Sequence, residues 1–173
     1  MAVPSPLGSD SMTPAASPLF LREHEVRRGV ELLFFGYTRL TRSIDVGLAE
    51  HGLGRAHHRA LYFVARQSNL TISELLRILA ITKQSLGRVL TDLAARGLLE
   101  TRAGEVDRRQ KLLRLTVEGA EFEAQLFDAL RNNLAAAYAA AGQESVTGFW
   151  RVLEGLIPPE DRAMIAALQR DMT

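Results

Sequence analysis

The sequence contains no cysteine among its 173 residues. That absence excludes disulfide bonds, thiolate metal sites and any sensing chemistry that depends on a reactive thiol. Long hydrophobic runs are also absent, since no segment approaches the roughly 18 consecutive apolar residues that a membrane span needs. The N-terminus shows no basic segment followed by an apolar one, so the sequence predicts neither a membrane protein nor a secreted one. We therefore expect a cytoplasmic protein.

The sequence does contain enough apolar side chains for a core, because 47% of its residues are hydrophobic. Its length suits one domain, or one domain with a dimerising appendage. Residues 1–18 differ from the rest, since they are rich in Pro, Ser, Gly and Ala and hold almost no large apolar side chain. Such a segment can bury little surface, and we expect it to be a flexible tail.

Positive charge is concentrated in one segment, although the net charge of the chain is only +1. Residues 82–114 carry eight basic side chains against four acidic ones, a net charge of +4, which leaves −3 for the remainder. The eight are Lys83, Arg88, Arg96, Arg102, Arg108, Arg109, Lys111 and Arg114. A basic segment in an otherwise balanced protein indicates either a surface that binds a polyanion or a solvated helix face.

Long helices are predicted at both ends of the chain. Apolar residues recur every three or four positions from about Leu19 to Glu50, which is typical of one long helix, and Arg55 to Gln67 predicts a shorter one. After Thr116 a second long stripe runs to Gly142, and helical patterns continue in residues 146–157 and 160–170. The terminal helices exceed what a compact core needs, so we expect their stripes to meet a second copy of the chain. Packing of the two ends on each other is the alternative.

Two short helices joined by a tight turn are predicted in the middle of the chain. Thr71 followed three residues later by Glu74 is the signature of a capping box at the start of the first helix. Thr82 suits the N-cap of the second helix, and Gly97 suits its C-terminal cap. This arrangement describes a helix-turn-helix.

A β-hairpin is predicted directly after the second of these helices. Two short strands, Leu98 to Arg102 and Arg109 to Leu115, flank a polar segment with a single glycine. The expected fold is therefore mainly α, with a small β-hairpin wing. We divide the chain into a flexible tail (1–18), an N-terminal dimerisation helix (19–54), a winged helix-turn-helix DNA-binding domain (55–116) and C-terminal dimerisation helices (117–173).

Motifs in this region resemble those of the MarR family of transcriptional regulators. The helix-turn-helix motif is carried by residues 70–76, 81–90, 93 and 96–99. Residues 107–116, with the following Gly119, are similar to the Asp-x-Arg…Leu-Thr…Gly signature of the family's wing, and residues 59–61 also fit the family pattern. The resemblance covers about Leu19 to Ile157. It implies a homodimeric DNA-binding protein.

The second helix of the helix-turn-helix, the recognition helix, carries most of the candidate DNA-binding residues. Its polar side chains lie opposite the apolar stripe, near the positively polarised N-terminus, where phosphates and base edges are best approached. Gln can pair with adenine and Lys or Arg with guanine, while hydroxyl groups can contact phosphates. The candidates are Thr82, Lys83, Gln84, Ser85 and Arg88. Gly87 would let a backbone come close, either that of DNA or that of the preceding helix.

The wing supplies the remaining DNA-binding candidates. By the resemblance, Arg109 enters the minor groove, and Asp107 orients the wing by pairing with Arg109 or a neighbouring basic group. Arg108 and Lys111 are expected to meet phosphates. The alternative for the whole hairpin is an exposed element whose charges only keep it soluble.

A ligand cleft is also implied by the resemblance, because the second helix of the family borders a cleft between the dimerising helices and the DNA-binding lobe. The residues that we place there are Phe34, Tyr37, His57, His58 and Arg59, which suit a small aromatic carboxylate. The alternative is that these are ordinary core and surface residues. His57 and His58 point about 100° apart on a helix, so they cannot easily share a metal ion. We predict no metal site, no cofactor and, since no catalytic constellation is found, no enzyme activity.

The sequence thus predicts a homodimer that binds an inverted-repeat operator in double-stranded DNA. The default expectation is a repressor that a small aromatic acid releases from DNA by favouring a state with misplaced recognition helices. Two alternatives stay open. One is a constitutive DNA-organising or activating protein without a ligand, and the other is a winged-helix module that binds protein.

Overall fold

The structure, a computed structural model, describes residues 22–104, 108 and 110–170. The chain divides into two compact units, one that reaches Thr38 and one that begins at Arg39. The described part of the first unit is helical, because helix α1 (Glu23–Arg42) occupies nearly all of it and ends just inside the second unit. The large apolar side chains of α1 in this unit are exposed: Val26, Val30, Leu32, Leu33, Phe34, Phe35 and Tyr37.

The second unit contains the remaining elements. Its helices are α2 (Asp45–Glu50), α3 (Arg55–Arg66), α4 (Ile72–Leu79), α5 (Lys83–Ala95), α6 (Val117–Ala141), α7 (Gln143–Gly155) and α8 (Pro159–Arg170). Its strands are β1 (Leu70–Thr71), β2 (Leu99–Ala103) and β3 (Lys111–Leu115). The mainly α fold with a β-hairpin that the sequence predicted is confirmed.

The single helix predicted to extend to Glu50 is wrong, because a break at Ser43 and Ile44 separates α1 from α2. The Ser43 hydroxyl donates to the Leu40 carbonyl at 2.7 Å, and the backbone N–H groups of Ser43 and Ile44 donate three residues back, to Leu40 and Thr41. Such local bonds compete with the regular helical ladder. The apolar spacing continues across the break, and Ile44 is buried, so the pattern alone could not show the interruption.

The sheet has three antiparallel strands in the order β1-β3-β2. The predicted hairpin of β2 and β3 is present, with Thr101 opposite Leu113. The sequence did not predict β1, whose Leu70 pairs with Leu113 on the other side of β3. A strand of two residues is too short to show the alternating pattern on which such predictions depend. The third strand ties the start of the helix-turn-helix to the base of the wing.

One hydrophobic core joins the helix-turn-helix, the wing and the helices around them. Helix α3 contacts α2, α4, α5, α6 and β3, and therefore lies at the centre of this core. Its residues without accessible surface come from α3, α4, α5 and β3: Ala60, Leu61, Leu75, Leu86, Leu93 and Leu113. Because these elements share one close-packed core, helix α5 is held in a fixed position in the second unit.

Candidate DNA-binding site

The turn between α4 and α5 has the features of a tight helix-turn-helix. Ala80 ends α4 in the left-handed conformation at φ +51°. The Arg59 guanidinium, from α3, donates to the Leu79 carbonyl at 2.8 Å and so satisfies one of the carbonyl groups that a helix end leaves without a partner. Thr82 then caps α5 by accepting from the Ser85 N–H at 3.1 Å. These bonds fix where the second helix begins.

The N-cap predictions for α4 and α5, the two helices joined by the turn, are confirmed. Thr71 and Glu74 form the capping box of α4, in which the Glu74 carboxylate accepts from the Thr71 N–H at 2.8 Å. Thr82 is the N-cap of α5, and Thr116 is the N-cap of α6 through the Gly119 N–H at 2.9 Å. Caps are local in sequence, so their signatures could be read without the fold.

Helix α5 has one buried face and one exposed face. Leu86, Val89 and Leu93 are buried, whereas the five residues selected from the sequence are all exposed: Thr82, Lys83, Gln84, Ser85 and Arg88. The structure therefore brings these five together on one accessible surface. Within the described part of the chain, neither Lys83 nor Arg88 forms an ion pair with an acidic side chain. Their charges remain available to a polyanion.

Thr91 joins this surface and was missed from the sequence. It is exposed and lies about one helical turn beyond Arg88 and two turns beyond Gln84 on α5. Its hydroxyl donates to the Gly87 carbonyl at 2.9 Å. The helical spacing from Gln84 was the available signal, because residues 84, 88 and 91 follow the three- and four-residue steps of one helix face.

Polar contacts hold α5 from behind as well. The His57 Nδ1 accepts from the Gly54 N–H at 3.0 Å, so its Nε2 carries the proton and donates to Asp92 of α5 at 3.2 Å. The Arg96 guanidinium, at the end of α5, donates to the carbonyls of His51 at 2.9 Å and Asp92 at 3.1 Å. These bonds link the recognition helix to α3 and to the loop before it.

The wing projects from the same unit and adds further positive charge. Arg108 and Lys111 are exposed and form no ion pair within the residues that the structure describes. Arg102 is different, since its guanidinium pairs with Glu100 of the same strand at 2.8 Å. Two candidates from the sequence, Asp107 and Arg109, lie outside the described residues.

The base of the wing is locked to the end of the recognition helix by a very close approach. The Thr116 hydroxyl donates to the Gly97 carbonyl at 2.6 Å, and Gly97 itself adopts φ +69°. A Cβ atom on Gly119 would lie 1.9 Å from the Leu98 carbonyl oxygen, a distance that no side chain can occupy. Only glycine lets α6 begin this close to the strand that leads into the wing.

The five residues predicted to line a ligand cleft differ in their surroundings. Phe34 and Tyr37 are exposed on α1, with 66% and 58% of their surface accessible. The ring nitrogens of His57 and one guanidinium nitrogen of Arg59 have partners inside the second unit, as described above. His58 is buried, and its Nε2 is a buried polar atom without a hydrogen-bond partner among the described residues.

The surroundings of His58 are aromatic. Its ring lies 6.2 Å from that of Tyr62, which in turn lies 6.2 Å from the ring of Phe127 on α6. Burial lowers the pKa of His58 below its usual value, because a charged imidazolium is poorly solvated there. His58 is therefore neutral at physiological pH.

Burial also shifts a carboxyl group of α6. It raises the pKa of Glu123, and the positive charge of Arg66 partly offsets that shift.

Two other kinds of site are absent from the part of the chain that the structure describes. No group of three or more His, Asp or Glu side chains there is placed to hold a metal ion. No helix in that part is both long and apolar enough to cross a membrane.

Comparison with known proteins agrees with the motifs. The sequence model of the MarR family matches residues 51–110, which include α3, the helix-turn-helix and most of the wing. The HTH-type transcriptional regulator PetP of Rhodobacter capsulatus is 45% identical over 144 residues, or 83% of this chain and 87% of PetP. The chain belongs to the MarR family. As a MarR-family protein it is a DNA-binding transcriptional regulator with a winged helix-turn-helix, and regulators of this kind are not enzymes.

Solved structures of MarR-family proteins share the fold. A mutant of MarR from E. coli complexed with operator DNA matches with a TM-score of 0.62 at 21% identity, over 82% of this chain and 100% of the MarR chain. NadR in complex with 4-hydroxyphenylacetate matches with a TM-score of 0.59 at 20% identity, over 88% of this chain and 97% of NadR. The predicted winged helix-turn-helix fold is thereby confirmed.

Proposed function

We propose that this MarR-family chain is a homodimeric repressor that binds an inverted-repeat operator and is released from it by a small aromatic acid. The observation that carries the DNA-binding part is the two-sided construction of α5. Its apolar face is fully buried at Leu86 and Leu93, while its opposite face exposes the five polar residues from Thr82 to Arg88 described above. A rigidly mounted helix with an exposed polar face suits the major groove of DNA.

The charge distribution supports the same proposal. Lys83 and Arg88 on α5 and Arg108 and Lys111 in the wing are exposed cations that no described acidic side chain neutralises. Contacts of such cations with phosphates release counterions, which gives affinity and strong salt dependence. By the family resemblance, Arg109 is assigned to the minor groove and Asp107 to orienting the wing. The complex of a MarR mutant with operator DNA supports DNA binding by a chain of this fold.

The dimer is proposed from apolar residues that the single chain leaves in water. On α1 they include Val30 and Leu33, and on α7 and at its C-cap they include Val152 and Leu156, each between 39% and 64% accessible. Exposed apolar surface of this kind is typical of an interface. We propose that a second copy of the chain covers this surface. An inverted-repeat operator has two-fold symmetry, and a symmetric dimer matches that symmetry. We assign residues 19–54 and 117–173 to dimerisation.

The effector is proposed from the buried, unpartnered Nε2 of His58 and the aromatic rings beside it. A buried polar atom without a partner is rare, because it costs the hydrogen bond that water would have supplied. A carboxylate or hydroxyl group of an aromatic ligand would supply that bond. NadR, a structural neighbour, is seen in complex with an aromatic carboxylate, 4-hydroxyphenylacetate. Phe34, Tyr37, His57 and Arg59 stay in the proposal as further candidates.

DNA binding is tested with a duplex that the wild-type protein selects from a random library. If six to ten phosphates are contacted per dimer, affinity should fall by roughly 10³ to 10⁵ between about 50 and 200 mM salt. Lys83→Ala and Arg88→Ala should weaken binding, whereas Arg131→Ala, which removes an exposed cation of α6 paired with Asp128, should not. A flat salt profile would reject DNA binding and favour a protein-interaction module.

The selected sequence tests the geometry and the assignment of Gln84. An inverted repeat with half-site centres about 10 bp apart is expected from two recognition helices one turn of DNA apart. Gln84→Ala should cost roughly 1–3 kcal/mol at one base position, because it removes a base contact and leaves the phosphate contacts in place. Equal weakening on every sequence would show that Gln84 does not read a base.

The effector is tested by calorimetric titration with a panel of aromatic acids that includes 4-hydroxyphenylacetate. Binding of the acid should release DNA, and His58→Leu should abolish binding of the acid. His57→Ala and Arg59→Ala test whether these two candidates also contact it. Burial lowers the pKa of His58 in the free protein, so a carboxylate that binds the imidazolium takes up a proton, and its affinity should rise as pH falls towards that lowered pKa. If no acid affects DNA binding, the protein is a constitutive DNA-binding protein that no such ligand controls.

A further inference from the structure

Gly87 lies in the middle of the exposed face of the recognition helix. Glycine lowers helix stability relative to alanine, because it loses more backbone freedom on folding. Two features of the fold itself could explain a glycine in a helix, namely a positive φ or a close neighbour. Gly87 is not among the positive-φ residues of the described chain, so any residue could adopt its backbone conformation.

A close neighbour inside the protein is absent too. A Cβ atom built on Gly87 meets no heavy atom within 4 Å among the described residues, in contrast to Gly119, whose Cβ would overlap the Leu98 carbonyl. The sequence left open that Gly87 admits the preceding helix, and this alternative is wrong. The other alternative, the approach of something from outside the chain, remains.

The neighbours of Gly87 on α5 indicate what approaches. Gln84 lies three residues before it, Arg88 directly after it and Thr91 four residues after it, and all three are exposed. The Thr91 hydroxyl donates to the Gly87 carbonyl at 2.9 Å. This carbonyl therefore keeps a side-chain partner when water is displaced from the helix surface, so close contact there leaves no unsatisfied backbone oxygen.

We propose that Gly87 is the point of closest approach between the recognition helix and DNA, and that the missing side chain sets how deeply α5 enters the major groove. The proposal rests on the proposed function. Gln84 has a short side chain, and a hydrogen bond to a base edge requires about 3 Å between the two heavy atoms. A side chain at position 87 would hold the helix away from the base pairs and lengthen that bond. Gly87 is thus a specificity-determining residue although it makes no side-chain contact.

The experiment compares Gly87→Ala, Gly87→Ser and Gly148→Ala. Gly148 is a matched control, because it is an exposed helical glycine of α7 at which an added Cβ atom would meet no described heavy atom within 4 Å. Thermal unfolding and affinity are measured for each, with the duplex that the wild type selects and with a duplex of scrambled sequence. Both alanine variants should raise Tm. Only the Gly87 variants should weaken binding to the selected duplex, by about 10- to 100-fold, as one lost base contact does.

Binding to the scrambled duplex distinguishes a change in how deeply α5 enters the major groove from a general loss of folded protein. Non-specific binding depends on phosphates, so the Gly87 variants should keep most of it while losing preference for the selected sequence. If Gly87→Ala raises Tm and binds the selected duplex as tightly as wild type does, the inference is overturned. If the wild type selects no duplex, the proposed function itself fails, which is a different result.

Discussion

Helices α1 and α5 are both amphipathic in sequence, but the apolar face of α5 is buried and that of α1 is exposed. On α5, Leu86 and Leu93 are completely buried, whereas on α1, Val30 and Phe34 are 62% and 66% accessible. Periodicity shows that a helix has an apolar face but not what covers it. The cover for α5 is in the same chain, whereas the apolar face of α1 stays exposed among the described residues, and we propose a second copy of the chain as its cover. Substitutions on the two helices and at their ends can test this contrast between a buried and an exposed apolar face.

The largest effect is expected from alanine at Gly119. The new methyl group would overlap the Leu98 carbonyl, which is backbone and cannot swing away. We expect Gly119→Ala to cost about 3 kcal/mol or more of unfolding free energy, the upper range of overpacking. Gly29→Ala on α1 is the control, since a methyl group there meets nothing within 4 Å among the described residues, and it should change stability by no more than about 1 kcal/mol. Urea denaturation of both variants measures the difference.

A pair of leucines compares the two apolar faces directly. Leu93→Ala should cost about 2–5 kcal/mol, because it opens a cavity in the core shared by the helix-turn-helix and the wing. Leu33→Ala should instead weaken the dimer, since Leu33 is 39% accessible in the single chain. Sedimentation over a concentration series measures dimerisation, and calorimetry measures stability. A wild-type protein that sediments as a stable folded monomer at micromolar concentration would contradict this view of α1.

Local features of this fold could be predicted from the sequence, and features that depend on distant residues could not. Thr71 and Thr82 were recognised as caps because the residues that they bond are three positions away. Strand β1 was missed because two residues carry no alternating pattern. The break at Ser43 was missed because the apolar spacing passes through it. Capping needs only neighbours, whereas β1 depends on its distant partner β3. The break at Ser43 is made by local bonds, but it leaves the apolar spacing unchanged, and that spacing was the only signal used.

The same distinction applies to the candidate site. The exposed polar face of α5 was predicted, since it follows from the position of the apolar stripe. The contact between His57 and Asp92 was not, because the two residues are 35 positions apart in the sequence. The buried state of His58 could not be predicted either. Adjacent positions on one helix face different surroundings, and only the packing of α3 against its neighbours decides which histidine is buried.

A smaller, pH-dependent effect is expected from His58. Its pKa is lowered by burial in the folded state, so below the usual value of 6.5 the unfolded chain binds a proton that the folded chain does not. The free energy of unfolding therefore falls as pH decreases below 6.5, by at most about 1.4 kcal/mol per pH unit, and no loss occurs above that pH. Glu123 acts in the opposite sense, because its raised pKa makes stability fall as pH rises from 4.5.

The contribution of His58 is isolated by comparing His58→Leu with wild type in urea at about pH 7.5, 6.5 and 5.5. The variant should lose less stability over this range, since it has no proton to bind at that position. His24→Leu is the control, because His24 is an exposed histidine of α1. Parallel pH profiles for wild type and His58→Leu would show that His58 is not the group responsible.

The smallest effect compares two acidic residues that each stand in the first turn of a helix. The Glu74 carboxylate accepts from the Thr71 N–H at 2.8 Å and from the Thr71 hydroxyl at 2.7 Å, and it is partly buried. Glu23 begins α1 and accepts from the Arg27 guanidinium at 2.7 Å, but the two side chains are 79% and 72% accessible. Removing the capping bond should cost about 0.5–2 kcal/mol, and removing the exposed pair about 0.3–0.5 kcal/mol.

Salt separates these two contributions. Screening at about 1 M salt shortens the reach of exposed charges to about 3 Å, so the cost of Glu23→Ala should nearly vanish there. The cost of Glu74→Ala should largely remain, because a hydrogen bond to a backbone N–H satisfies a group that the helix leaves without a partner. Urea denaturation at about 0.1 M and about 1 M salt measures both variants. The two variants could instead lose equal unfolding free energy at low salt, and both losses could disappear at high salt. The capping box at Thr71 would then be stabilised by charge alone, and the start of α4 would be no more stable than the exposed start of α1.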